Sequence, residues 1–127
     1  MVPIQTSCGC ACSAGPKLIF SFSGAADVGE LADQVARKLT RDGKGKMFCL
    51  AGIGGRISGI MKSTEAAASI LAIDGCALDC TRKSLAEAGF TRVNHLRLTD
   101  IGFEKGDTVI SPDSIAQVVD KAELFLS

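Results

Sequence analysis

Four short apolar runs divide this chain, and the segments between them carry helical periodicity. The runs are Leu18-Ile19-Phe20-Ser21-Phe22, Met47-Phe48-Cys49-Leu50-Ala51, Ile70-Leu71-Ala72-Ile73, and a weakly alternating stretch from Val93 to Leu98. Successive strand residues point to opposite faces, so a continuous apolar run asks to be buried on both. Two parallel strands need a long crossover between them, and a helix is the usual one. Strands alternating with helices therefore predict a parallel sheet covered on both faces.

The intervening segments fit. After the turn Ser23-Gly24-Ala25-Ala26, Asp27 reads as an N-cap with Glu30 three residues on, which has the form of a capping box. Val28, Leu31, Ala32, Val35 and Leu39 then recur at helical spacing, and Gly43 and Gly45 close the element. Gly52-Ile53-Gly54-Gly55 reads as a flexible loop, with a helix near Lys62 to Ala68. The third run ends at Asp74-Gly75-Cys76, and a helix is expected from about Ala77 to Ala88, closed by Gly89. Ser111-Pro112 is a strong helix start, Ser as N-cap and Pro at the first helical position. Ile115, Val118, Val119 and Ala122 give that last helix an apolar stripe. The expectation is an α/β fold: a single three-layer, Rossmann-like domain over residues 17–127, with a mainly parallel four-stranded sheet and helices on both faces. Residues 1–16 read as a flexible Cys-rich tail.

Composition removes several function classes. The formal net charge is +0, so no basic face for nucleic acid or anionic membrane is implied. Trp and Tyr are absent, which weakens any stacking platform for single strands. No apolar run approaches the roughly 20 residues of a membrane span. Met1 to Ala14 lacks the basic and apolar regions of a signal peptide. The expected compartment is the cytoplasm, where thiols stay reduced. Six cysteines among 127 residues then call for metal binding or thiol chemistry rather than disulfides.

Three of those cysteines fall at related places. Cys49 closes the second strand, Cys76 follows the third, and Cys80 is one helical turn beyond Cys76, which would put both on one face. The C-terminal ends of parallel strands form one edge, and ligands of open α/β folds bind there. Three neighbouring thiolates repel one another. A divalent cation relieves that, and zinc accepts sulfur in tetrahedral geometry. Alternatively Cys49 is a small buried apolar residue. At a helix N-terminus Cys76 would also be a nucleophilic thiolate, with Cys80 or Cys49 resolving it in a redox cycle. Asp74 would orient a ligand or cap the helix.

Other motifs are weaker. Gly24 to Gly29 is followed by Glu30 and Leu31, so the phosphate-loop pattern fails. Ser23 and Gly24 still precede a helix N-terminus and are candidate cofactor contacts. Gly52-Ile53-Gly54-Gly55-Arg56 has the makings of an amide nest, although loop glycines usually serve the turn itself. His95, the only histidine, lies within the fourth strand and reads as structural.

Ile73-Asp74-Gly75-Cys76 followed by Cys80 resembles the DGC domain family, small prokaryotic proteins regarded as zinc-binding. The resemblance extends to Ser23-Gly24-Ala25-Ala26-Asp27-Val28-Gly29, to Cys49-Leu50-Ala51-Gly52-Ile53-Gly54, and to Thr99-Asp100-Ile101-Gly102-Phe103-Glu104-Lys105. It covers the chain from Lys17 to about Lys105. Glu104 and Lys105 match the family pattern without an evident chemical role; a surface ion pair is the plain reading. The pattern usually places a cysteine where this chain has Phe22, which leaves Cys49, Cys76 and Cys80 from the sheet edge. A fourth ligand from the tail must double back over the first strand, roughly 17–20 Å. Cys12 reaches only about 17 Å, Cys10 is marginal, and Cys8 has slack at roughly 30 Å. The resemblance and the spacing together predict zinc held by Cys49, Cys76 and Cys80, completed by Cys8 or Cys10 or by water.

Overall fold

The computed structural model describes residues 15–126. Its elements are β1 (Lys17–Ser21), α1 (Asp27–Arg41), β2 (Lys46–Met47), α2 (Leu50–Gly54), α3 (Ser58–Glu65), β3 (Ser69–Asp74), α4 (Cys80–Glu87), β4 (Asn94–Arg97), a 3-10 turn (Leu98–Ile101) and α5 (Pro112–Glu123). The sheet order is β2-β1-β3-β4, and every pair is parallel. The predicted α/β architecture is therefore the observed one.

Strand alternation divides the core into two clusters. Ile19, Leu71, Ile73 and Leu96 face α1 and α5, meeting Leu31, Val35 and Leu39 of α1 and Val118 and Ala122 of α5. Leu18, Phe20, Ile70 and Ala72 face the other way, against Ile53 of α2, Ile60 and Met61 of α3, and Leu85 of α4. Both parities of β1 and β3 are buried, which is why those segments read as unbroken apolar runs. None of the helices among the described residues is long and apolar enough to cross a membrane.

Local chemistry explains the boundaries. Ser111 and Ser114 cap α5 reciprocally, with Pro112 at its first position, as its sequence predicts. Asp27 is the first residue of α1 rather than its N-cap, a place held by Ala26. Its carboxylate accepts from the amides of Val28, Gly106 and Thr108 and so pins the 104–108 loop to the start of α1.

The second strand differs most from expectation. It ends at Met47; Phe48 still donates its amide to the Ile19 carbonyl, and the chain then turns into α2 at Cys49. The glycine-rich stretch predicted as a loop is that helix. Ile53 is fully buried, and a Cβ on Gly52 would meet Ile60 at 2.1 Å, so α2 is drawn tightly onto α3. Tertiary burial overrides the weak helical propensity of glycine. Helix α3 likewise starts at Ser58, ahead of the predicted Lys62.

Core and surface should separate cleanly in stability. Leu71, at 0 % exposure in the middle of β3, should cost about 3 kcal/mol when replaced by Ala. Leu78→Ala, at 60 % exposure, should stay within about 0.5 kcal/mol. Urea unfolding of both variants checks this, and equal midpoints would contradict the packing described.

Candidate functional site

The strand order reverses between β1 and β3: the chain leaves β1 for the edge strand β2, then crosses back to β3. In open parallel sheets the crevice at such a point, beyond the C-terminal strand ends, is where ligands bind. Here that edge carries Phe22-Ser23-Gly24 after β1, Phe48-Cys49 after β2, Gly75-Cys76 after β3 and Arg97 at the end of β4. Gly75 abuts Val28, which brings the Gly75-Cys76 corner against the first turn of α1.

A charged cluster anchors this edge. Asp74, at 1 % exposure, accepts from the backbone amides of Thr81 (2.7 Å) and Arg82 (3.1 Å) and pairs with His95 Nε2 at 2.9 Å. It thus caps α4 from seven residues upstream and ties it to β4 through His95. Asp79, at 3 % exposure, holds the left-handed conformation with φ 54°. Both its oxygens are gripped by the Arg97 fork, Nε at 2.8 Å and Nη2 at 2.7 Å, and Arg82 adds a bond of 3.1 Å. The Arg97 fork, followed by Arg82 and by His95 and Arg97 charge, outweighs desolvation and holds the Asp79 carboxyl far below the usual carboxylate range.

Asp74, Asp79 and His95 are the one set of metal-type donors among the described residues whose ligand atoms lie within 4.8 Å of one another. The set does not suit a cation. Each carboxylate oxygen is already a hydrogen-bond acceptor: Asp79 is paired with Arg82 and Arg97, and Asp74 is held by two backbone amides and His95. An ion taking Asp79 would have to expel the Arg97 guanidinium from a near-ideal fork, and one taking Asp74 would have to displace two helix amides. The cluster is a structural knot joining β3, α4 and β4. His95 takes the structural part its sequence position suggests, and Asp74 takes the capping one.

The knot reshapes the cysteines' surroundings. Because Asp79 breaks the helical path, α4 begins at Cys80, not near Ala77. Cys76 stands in the preceding turn, its carbonyl accepting from the Asp79 amide at 3.1 Å. Cys76 and Cys80 therefore do not share a helical face, and Cys76 is not at the N-terminus of α4. Cys49 is the exposed N-cap residue of α2, which overturns its reading as a buried apolar residue. All three thiols are free, and none is buried. They occupy the predicted edge but do not form a set within 4.8 Å of one another. Cys8 and Cys10 lie outside the described residues.

Cys49 lines a cleft of about 940 Å³ between α1 and α2, together with Ser23, Asp33, Arg37 and Phe48. Ser23 Oγ donates to Asp33 at 2.6 Å. The space over Gly24 is filled, since a Cβ there would lie 2.1 Å from Cζ of the Phe22 ring. Asp27 and Glu30 put two carboxylates in the first turn of α1, which opposes an anion at that terminus. The Glu104 carbonyl accepts from the Thr108 hydroxyl in the loop that Asp27 pins, a backbone part for one of the two family-pattern residues that lacked a role.

Sequence reasoning missed Asp79, Arg82 and Arg97. The signal was the register: Arg97 lies beside Asp74 across β3 and β4, and Ala72 pairs with His95.

Residues 18–122 match the DGC domain family. A curated relative, the anaerobic and virulence modulator AnvM of Pseudomonas aeruginosa, is 34 % identical over 88 residues, covering 69 % of this chain and 67 % of the relative. No solved structure matches.

Asp79→Asn should lower stability by about 2–3 kcal/mol, since it leaves Arg97 and Arg82 without their carboxylate. The folded-state pKa of Asp79 is depressed, so its contribution is full above the unfolded value of about 4 and is lost as pH falls through the folded one. Urea titrations from pH 7 down to 2 should show a loss of stability below about pH 4 that shrinks in the Asn variant. Identical pH profiles would refute the assignment.

Proposed function

The chain belongs to the DGC domain family, and on that premise we propose that it binds a metal ion, zinc by donor type, through cysteine thiols at the C-terminal edge of its sheet. One observation carries the reading. Cysteine is among the most buried residue types, yet Cys49, Cys76 and Cys80 are all accessible, and all follow strand ends on one edge. Packing does not require thiols at such places.

Soft thiolate donors favour zinc over magnesium or calcium. Cys76 and Cys80 flank the turn that the Asp79–Arg97 fork holds, and Cys49 follows β2, which is separated from β3 by β1. Three thiols leave one tetrahedral position, for Cys8, Cys10 or water, and since they do not lie within 4.8 Å of one another a shared ion would have to draw them together. A bound ion would suppress thiolate repulsion and fasten the N-terminal segment to the domain.

A second reading is thiol-redox chemistry, with Cys76 reactive and Cys80 or Cys49 resolving it. The free, accessible state of all three thiols favours it, as does the name of the Pseudomonas relative, which refers to anaerobic conditions.

Native mass spectrometry on anaerobically purified protein separates them. A metal protein should show one stoichiometric zinc, lost on chelation, with Cys76→Ser weakening affinity by about 10–100-fold. An apo mass with thiols alkylated at once would remove the metal reading and leave the redox one.

A further inference from the structure

We infer that the cleft between α1 and α2 is a binding site for a small organic anion with an apolar or planar body. Its volume of about 940 Å³ lies within the range of small-molecule pockets. It opens at the C-terminal ends of β1 and β2, the edge where parallel sheets take ligands. The inference does not depend on a bound metal.

The lining defines the ligand. Phe48 and Leu50 supply an apolar floor for the body. Along α1 the charged residues in the lining are Asp33, Arg37 and Arg41. Asp33 is fully engaged: one oxygen accepts from Ser23 at 2.6 Å and the other from Arg37 Nε at 2.6 Å. This chain neutralises Arg37 and holds it against the cleft wall. Arg41, the last residue of α1, makes no ion pair or side-chain hydrogen bond among the described residues. The cleft therefore carries one guanidinium without an ion-pair partner beside its apolar lining, and Lys46 Nζ, 5.9 Å from the Phe48 ring centroid, adds a second positive charge nearby. A carboxylate, sulfonate or phosphate on an apolar body matches that pairing, and a guanidinium binds such groups by two parallel bonds. The Cys49 thiol lines the same space, so a seated ligand covers it.

The test uses the full chain, reduced and held in chelator so that metal plays no part. Anilinonaphthalene sulfonate serves as the anionic probe, and phenylnaphthylamine as its uncharged counterpart. Binding is followed by fluorescence, and alkylation of each thiol by iodoacetamide is followed by peptide mass spectrometry. The sulfonate should bind at a single saturable site and slow alkylation of Cys49 about tenfold or more, leaving Cys76 and Cys80 within about twofold. Arg41→Gln, a change at an exposed position, should weaken the sulfonate about tenfold and leave the uncharged probe unaffected. Equal binding of both probes, equal slowing at all three thiols, or an unchanged affinity in the Arg41 variant would each overturn the assignment.

Discussion

Two buried carboxylates organise the working edge of this fold. Asp74 ends β3 and would be costly to bury as a bare charge. It is tolerated because the first free amides of α4 and the ring of His95 surround it. Asp79 is tolerated because Arg97 reaches it with a bidentate fork from the next strand. Each acid thus turns a desolvation problem into a fixed distance between elements. Together they set where α4 starts, how β4 lies on β3, and which way the turn bearing Cys76 faces.

The same edge divides its chemistry by strand. Ends β3 and β4 hold the charged knot, whose carboxylate oxygens are all engaged by partners within the protein. Ends β1 and β2 hold the cleft, whose wall keeps a surplus positive charge. Cys76 and Cys80 flank the knot, whereas Cys49 belongs to the cleft. The three thiols therefore sit in unlike electrostatic surroundings. A metal that recruits them all must bridge two compartments.

Much of this was legible in the residues alone. Runs apolar in both parities require a sheet covered on both faces, and the parallel order follows from helices between them. Ser111-Pro112 names its own helix start. The placement of thiols at the C-terminal edge follows from topology without any side-chain detail. Illegible were the features that depend on partners distant in the chain. Asp79 adopts a left-handed backbone because Arg97, eighteen residues away, rewards it, and no local pattern announces that. Helix α2 forms from a glycine-rich stretch because Ile53 must reach the core and Gly52 must pass Ile60. The cleft needed α1 and α2 in place before its lining residues had anything in common.

The phenyl ring of Phe22 lies where a side chain on residue 24 would have to stand. A side chain at position 24 can stand there only if the ring swings aside, so the two positions are sterically coupled. A smaller residue in place of Phe22 would remove that contact and open the space above the turn. The identity of residue 22 thus decides how much room the β1 end of the edge offers, and a change there would act on the cleft and the turn at once.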